Sequence, residues 1–452
     1  MISYLQAQQI LAAQARSFGQ EKIGLDQAYG RVLAEQVQAD RDYPPFHRSA
    51  MDGYAIRYND WEEGLRRFRI VEIIYAGTAA TKPIGKGECY KIMTGAPVPP
   101  DADTVIRRED TDETELAKGS AYIAGLATSR EPAHIENSAP FIGISLSSCQ
   151  RFQNISPQGE DMHAGDIALG TPSIIGPAVM GILASLGKNE CLVEQLPRVA
   201  LFTTGNEIVP VDTSANPIQI RNSNRWIIQS FLKGWGISPF RYEHLPDVKD
   251  VLRNSLAKVI PGATPSPDTS PSPDTSPNPD TSRNPDTSPV SDDKLADIII
   301  LSGGVSAGDA DYIPEILEEL GVQRLFHKIA IKPGKPVWCG VTPAGSMVFA
   351  LPGNPFSGMV NFTLLIRHYL HACFRLAAPI PMGLPLATAR KKKTPLDEFF
   401  PVRITGSPAR LQTIDINGSG DSRLGLYANA LALHPAESGD LLEGANVLYY
   451  SI

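Results

Sequence analysis

Four loop segments, glycine-rich as a set and far apart in the chain, each follow a run of strand-forming residues. They are TTGNE at 203–207, IRNSN at 220–224, SGGVSAGDAD at 302–311 and LPGNPFSG at 351–358. The last three lead into helical patterns. Repeated strand–loop–helix units build an open parallel sheet, and such sheets bind ligands in the crevice at the strand ends. Glycine lets backbone N–H groups approach phosphate oxygens, and a helix N-terminus favours anions. One such loop is weak evidence. Four in order, with a basic stretch KIAIKPGKP at 328–336, argue for an anion site.

The chain has 452 residues, enough for two to four domains. Its apolar content of 42% and charged content of 20% fit a soluble protein with a full core. A net charge of −8 argues against general nucleic-acid binding, so a phosphate ligand needs a local basic pocket. Cys89, Cys149, Cys191, Cys339 and Cys373 form no C-x-x-C pair, which predicts buried reduced thiols rather than disulfides or zinc. The N-terminus lacks the charged flank and apolar run of a signal peptide. The apolar stretch at 172–187 is shorter than a membrane span and contains Pro177. The expectation is a cytoplasmic protein without membrane or nucleic-acid partners.

The predicted fold is multidomain α/β. Residues 1–53 and 153–196 form an N-terminal elongated domain, opening with a helix near 3–16. Residues 54–152 alternate short β runs with Gly, Pro and Asp turns and read as an inserted small β domain. Residues 197–375 are the doubly wound α/β domain with a mostly parallel sheet. Its strands include RVALFTTG, ADIIILSGG and MVFALPGNP; the continuous apolar runs suit a sheet covered on both faces. Its helices include NRWIIQSFLKGWG, capped by Ser223 or Asn224, YIPEILEELG, and a long one from FSGMVNFTLLIRHYLHACFRL. Residues 376–452 return to short β runs as a C-terminal β domain. A Pro-rich insertion, about 262–292, interrupts the α/β domain; residues 265–288 are four hexapeptides, each ending in Pro-Asp-Thr-Ser, and cannot form a core. ARKKKT at 389–394 reads as a solvated linker between domains.

Several residues carry chemistry. In SAMDGYA, Asp52 stands immediately before a glycine; the bland alternative is an Asx turn capping a strand. In KIMTGAP, Thr94 and Gly95 offer a hydroxyl and a backbone amide, or an ordinary turn. Gly303, Gly304 and Gly308 allow close approach of a ligand, Ser306 can donate to an oxyanion, and Asp309 and Asp311 can hold a divalent cation or set the loop. Mg²⁺ takes one or two carboxylates and fills its octahedron with waters and phosphate oxygens. Lys328, Lys332 and Lys335 can balance oxyanion charge. Pro333, Gly334 and Pro336 place them on a turn rather than a solvated helix face. No Ser-His-Asp arrangement and no metal spacing among the eight histidines is visible.

Together PPFHRSAMDGYA, YKIMTGAPVP, ISPQGEDMHAGD, FTTGNE, IRNSN, LSGGVSAGDADY, KIAIKPGKP and LPGNPFSG resemble the molybdopterin molybdenumtransferase family, which includes the E domain of gephyrin. The motifs occur in family order over about residues 1–375; FFPVRI, NGSGDS and ANALALHPAESGDLLEG match more loosely beyond. The resemblance implies an elongated homodimer of four domains. It also implies Mg²⁺-dependent insertion of molybdate into adenylylated molybdopterin with release of AMP, and other cofactor-biosynthesis proteins as partners. The implied active site lies between the α/β domain of one subunit and the N-terminal β region of the other. By motif position it places Asp52, Thr94, Asp161, Glu207, Asp311, Lys328 and Lys332 in catalysis, with Asp52, Glu207 and Asp311 on metal. Cofactor or oxyanion contacts fall on Gly303, Gly304, Ser306, Gly308, Lys335, Pro336, Pro352, Gly353, Asn354, Pro355, Ser357, Arg403 and Ser419.

Three positions depart from the family pattern. Acidic residues are usual where this chain has Asn206 and Asn222, and an aspartate is common at His47. An amide is a poorer Mg²⁺ ligand than a carboxylate. On sequence alone, Asn222→Asp would therefore keep or raise activity at low Mg²⁺. The alternative function is a non-catalytic cofactor- or partner-binding protein of the same fold; a nucleotide pyrophosphatase need not carry SAMDGYA or MTGAP.

Overall fold

The computed structural model describes residues 1–112, 141–260, 262–263, 295–305, 311–421 and 427–452. The chain divides into two compact units. One comprises Met1–Glu35, Thr171–Gly181 and Lys188–Ile452; the other comprises Gln36–Gly170 and Ile182–Gly187.

The first unit is built on a six-stranded sheet in the order Arg241–Leu245, Val199–Thr204, Ile298–Ser302, Met347–Leu351, Trp338–Val341, Gln323–His327. The first four strands are parallel; Trp338–Val341 runs antiparallel to both of its neighbours, so Gln323–His327 runs with the first four. Period-2 alternation sorts the apolar residues onto two faces. Val199, Leu201, Ile298, Ile300, Met347 and Phe349 share a core with Ile228 and Leu232 of helix Ser223–Lys233 and with Leu364, Leu365 and Leu370. Ala200, Phe202, Ile299, Leu301, Val348 and Ala350 point the other way, against Leu252 and Leu256 of helix Lys249–Ala257 and Ile313, Ile316 and Leu317 of helix Ile313–Glu319. The sheet is covered on both faces, as its unbroken apolar strands require. Each Val, Leu, Ile, Phe or Met among them contributes about 1.5–3 kcal/mol when fully buried.

The long helical pattern after LPGNP is one rod in three pieces: Pro355–Asn361 α-helical, Phe362–Ile366 a π turn, Arg367–Cys373 α-helical. The N-terminal helix Tyr4–Ala13 starts at a capping box, in which Ser3 Oγ accepts from Gln6 N and Gln6 Oε1 accepts from Ser3 N. It packs Ala7 and Leu11 into the same core as the rod. A second sheet of this unit joins Ile331–Lys332, Asp397–Thr405, Ala430–His434, Asn446–Ser451 and Met382–Pro385 in that order, so the KPGKP arm is stitched to the C-terminal β segment. ARKKKT is not a solvated linker. Lys392 Nζ donates to the carbonyls of Leu396, His434 and Pro435, and Arg390 pairs with the buried Glu398.

The second unit carries a six-stranded sheet in the order Thr104–Arg107, Gly53–Ile56, Glu88–Ile92, Arg67–Ile74, Phe141–Ile144, Thr111–Asp112. Its two faces pack separate clusters, Tyr54, Ile56, Phe68 and Ile70 on one side, Ala55, Val71, Ile74 and Tyr90 on the other. All five cysteines are free and buried. No described helix is long and apolar enough to cross a membrane. The Pro-rich repeats, Ser306, Gly308 and Asp309 lie outside the described residues.

Candidate functional site

The parallel strands of the first unit end in register, with Thr203 opposite Ser302 and Ser302 opposite Leu351. Their loops are forced together. Gly303 has φ +108° and donates its N–H to the Leu351 carbonyl at 3.0 Å; a Cβ there would lie 2.5 Å from Thr204 Oγ1. Only glycine fits. Thr204 Oγ1 is buried with no hydrogen-bond partner among the described residues. Asn224, in the first turn of helix Ser223–Lys233, reaches across: its Nδ2 donates to Ser302 Oγ at 2.9 Å and to the Gly353 carbonyl at 2.6 Å. One side chain thus ties three loops. The N-cap of that helix is Asn222, whose Oδ1 accepts from Arg225 N, and not Ser223 or Asn224. Ser223 and Asn224 already lie inside the first turn.

Acids gather at the same strand ends. Glu207 is exposed, with its carboxylate folded over Gly205, where a Cβ would meet Oε2 at 2.9 Å. Asp247 exchanges hydrogen bonds with Asn206: Asn206 N donates to Asp247 Oδ2 at 3.3 Å, and Asp247 N to Asn206 Oδ1 at 3.1 Å. Burial, helped by the charges of Glu207 and Asp311, pushes the Asp247 carboxyl above its ordinary range. Three carboxylates therefore lie within electrostatic reach. Among the described residues no three His, Cys, Asp or Glu side chains form a closed metal cage. Mg²⁺ needs only one or two carboxylates, with waters and phosphate oxygens completing its shell, and the donor set fits it.

The basic side is built by the KPGKP turn. Gly334, at φ +95°, sits against Asn361, where a Cβ would meet Nδ2 at 2.6 Å; that Nδ2 donates to the Gly334 carbonyl at 3.0 Å. Lys328 N–H donates to the Val337 carbonyl at 2.8 Å, and the Lys335 carbonyl accepts from Ile329 and Val337. Lys332 and Lys335 are both exposed. Lys332, Pro333 and Phe356 line a cavity of about 480 Å³ together with Arg390, Lys391, Lys393 and Ser419. Lys335 and Arg403 are not part of that lining; Arg403 is exposed on strand Asp397–Thr405. Asn354 caps helix Pro355–Asn361, with Pro355 at its first position and Ser357 buried. Phe356 N–H donates to the Ser419 carbonyl at 3.1 Å.

Asp52, Thr94 and Asp161 belong to the second unit. Asp52 Oδ1 accepts from both Thr94 N and Thr94 Oγ1 at 2.7 Å. The Asp52 side chain thus clamps two loops instead of closing a local Asx turn. These two bonds, aided by Arg108 and Lys91, hold its carboxyl below the usual range. Gly53 follows because strand Gly53–Ile56 presses on its neighbour: a Cβ would stand 1.9 Å from the Ile106 carbonyl oxygen. Asp161 is exposed, its N–H bonded to the Tyr43 carbonyl. His47 Nδ1 accepts from Gln158 N at 3.0 Å.

The structure brings Glu207 and Asp311 into one electrostatic group with Asp247, gathers Gly303 and Gly353 beside them, and puts Lys332 and Ser419 on one cavity. Sequence reading missed Asn224, Asp247, Asn361 and the lysines of 391–393. Polar residues in loops and caps carry no periodic signal, so only the fold reveals their targets.

The chain matches known proteins along most of its length. Residues 2–187 match the family described as MoeA N-terminal region (domain I and II), and residues 288–372 match the probable molybdopterin binding domain. A molybdopterin molybdenumtransferase of Synechocystis sp. is 30% identical over 426 residues, covering 93% of this chain and 92% of the relative. The Bacillus subtilis protein of that name is 31% identical over 355 residues, 77% of this chain and 69% of its own. A crystal structure of the molybdopterin biosynthesis MoeA protein from Pyrococcus horikoshii is 26% identical, with a TM-score of 0.70 over 100% of this chain and 99% of its own. With the strand-end loops and the lysine cavity in place, these likenesses lead to one conclusion: the chain belongs to the molybdopterin molybdenumtransferase family.

Proposed function

We propose that this protein inserts molybdate into adenylylated molybdopterin and releases AMP in a Mg²⁺-dependent step. One observation carries the reading. Residues 353–356 join the two halves of the site: the Gly353 carbonyl is held by Asn224 at the acidic strand ends, and Phe356 N–H is bonded to Ser419 at the basic cavity. Three residue steps span at most about 10 Å. A ligand with a nucleotide phosphate at one end and an oxyanion acceptor at the other matches that spacing.

The reaction asks mainly for positioning and charge. Gly303, Gly304 and Gly353 let backbone groups approach phosphate oxygens, and the start of helix Pro355–Asn361 adds rigid turn geometry through Pro352 and Pro355. Glu207 and Asp311 would hold Mg²⁺, which when bound would offset phosphoanhydride charge. Lys328 and Lys332 neutralise oxyanion charge, with Lys335, Pro336 and Ser357 behind them. The proposal includes a cytoplasmic homodimer of four-domain subunits, divided as the sequence suggests. Asp52, Thr94 and Asp161 of one subunit then serve the α/β domain of the other.

The test is AMP release from adenylylated molybdopterin by the purified protein, with Mg²⁺ and molybdate each omitted in turn. Release that needs both supports the reading. Tight pterin binding with no AMP release under any condition would make this a non-catalytic binding protein. A tungstate arm decides between the two oxyanions.

A further inference from the structure

We propose that Asn222, Thr203 and His244 form a directed hydrogen-bond chain that positions the Gly205–Glu207 loop, and that the amide at 222 sets its direction. The idea rests on the reading of Glu207 as a Mg²⁺ ligand.

The chain can be followed atom by atom. Arg225 N–H donates to Asn222 Oδ1 at 3.1 Å, which fixes the amide orientation. The amide Nδ2 then faces Thr203 Oγ1 at 2.8 Å and the Tyr242 hydroxyl at 3.0 Å, and supplies one proton to each. With an N–H already pointing at its oxygen, the Thr203 hydroxyl is free to give its own proton to His244 Nδ1, 3.1 Å away. The Tyr242 hydroxyl is 3.2 Å from the same oxygen and completes the group. Thr203 and Asn222 are buried. Burial lowers the basicity of His244, so the ring is neutral near pH 7. With Nδ1 accepting, its single N–H falls to Nε2.

The chain meets the site at this loop: Thr203, paired with His244 across the sheet, stands two residues before Gly205, and Asn206 and Asp247 exchange hydrogen bonds just beyond. Gly205 has φ +136°, and Glu207 folds its carboxylate directly over it. The groups facing the chain are Arg225, whose guanidinium stacks on the Tyr242 ring at 3.9 Å, and Asp247 and Glu207, which act on His244 through their charges. The elements linked are the start of helix Ser223–Lys233, strands Val199–Thr204 and Arg241–Leu245, and the loop that carries Glu207. Asn222 is then a positioning residue and not a weakened metal ligand.

Asn222→Asp separates the two views. Aspartate caps a helix as well as asparagine, so Arg225 N keeps its acceptor and the fold is retained. A carboxylate cannot donate, however. The Thr203 hydroxyl must turn towards it, and His244 loses its proton donor. If residue 222 were a lost metal ligand, the carboxylate would lower the half-saturating Mg²⁺ concentration. As a positioning residue it should raise that concentration about tenfold, the range found when groups behind a metal ligand are disturbed, with KM for the pterin nucleotide unchanged. Thr203→Val should do the same, and Thr203→Ser should restore the parent value.

A second readout needs no turnover. In ¹⁵N-histidine spectra of the full chain, His244 should show a bare Nδ1 and a protonated Nε2, and Asn222→Asp and Thr203→Val should change that pattern. A wild-type ring protonated on Nδ1, or an Asn222→Asp variant needing the same or less Mg²⁺, overturns the proposal. Should Mg²⁺ have no effect on wild-type turnover, the reading of Glu207 fails, and the ¹⁵N pattern alone decides the hydrogen-bond chain.

Discussion

Asp52 and Asp247 are both single carboxylates that join loops, yet their surroundings drive them in opposite directions. Asp52 is exposed, takes two short bonds from Thr94, and has Arg108 and Lys91 as positive neighbours, so its charge is favoured. Asp247 is half-buried, has one long backbone bond from Asn206, and faces the charges of Glu207 and Asp311, so its charge is disfavoured. The first is satisfied by its own unit. The second is left with its charge opposed by burial and by two neighbouring acids. Motif position alone put Asp52 among the metal ligands; its hydrogen bonds make it first a clamp between SAMDGYA and MTGAP.

The largest effect should come from the glycines beside the two groups. Gly53→Ala places a methyl 1.9 Å from the Ile106 carbonyl, so a strand must move, at a loss of about 3 kcal/mol, the upper end of overpacking costs. Gly353→Ala meets nothing nearer than Gly303 Cα at 3.7 Å and should cost under about 0.5 kcal/mol. Its effect should appear instead as reduced AMP release, because the methyl occupies the approach to the strand ends. Thermal melting and turnover of both variants test the pair. Equal melting temperatures would show that the Asp52 side is not held by strand contact.

Next comes the cation. At a concentration of 100 times its dissociation constant, Mg²⁺ should stabilise the fold by about 2.7 kcal/mol. Glu207→Gln and Asp311→Asn should each reduce that gain, and Asp52→Asn should leave it intact in an isolated subunit. A Mg²⁺-induced rise in melting temperature that survives in both strand-end variants would place the metal elsewhere.

The lysines sharpen the basic half. Lys332 lines the cavity with Ser419, and Lys335 does not. Lys332→Met should raise the half-saturating molybdate concentration about ten- to a hundredfold, the worth of one charge-assisted contact of roughly 1.5–3 kcal/mol. Lys335→Met should have a smaller effect. Molybdate titrations of AMP release, with pterin-nucleotide affinity measured separately, rank the two; a reversed order would put the oxyanion outside this cavity.

The strand-end loops were readable because their signals are local. A buried parallel strand reads as an apolar run, and a glycine after it reads as a close approach; Val199–Thr204, Ile298–Ser302 and Met347–Leu351 all follow that rule. Strand Arg241–Leu245 did not show itself, because RYEHL lies at the sheet edge with most of its residues half-buried. Helix capping was misjudged by one or two residues, since NSN at 222–224 carries three successive cap-forming residues and only the side-chain bond to Arg225 N chooses among them. The basic arm 389–394 was misread for a different reason. Its lysines look solvated in sequence, but Lys392 spends its ammonium on three carbonyls brought from positions 396 to 435. Long-range polar targets are invisible to any periodicity.

A smaller effect should distinguish the two carboxylates by pH. The folded-state pKa of Asp52 is depressed, so its contribution is present above the ordinary carboxylate value of about 3.9 and is lost as pH falls through the folded value. Wild-type stability should therefore decline on the acid side of that value more steeply than that of Asp52→Asn. Because the group is exposed, the difference will be modest and will shrink with added salt. Coincident acid limbs for the two proteins would show that the Thr94 bonds do not outlast solvent competition.

The smallest effect of all is expected where neither carboxylate is touched, at residues 265–288. Their four Pro-rich hexapeptides hold no apolar residue to bury. The structure adds a geometric reason. Ala296 N–H donates to the Val259 carbonyl at 3.1 Å, and Val259, Ile260 and Ala296 are all buried in the same core. The entry to strand Ile298–Ser302 is thus anchored beside the end of helix Lys249–Ala257 by residues outside the repeats. A short Gly/Ser linker can close the gap, and loop-closure entropy changes by only about 0.6 kcal/mol for each halving of length. Replacing 265–288 should leave the melting temperature, the Mg²⁺ response and AMP release unchanged. A loss above about 2 kcal/mol, the size of a buried or specific interaction, would mean that the repeats make a contact the two anchored ends do not supply.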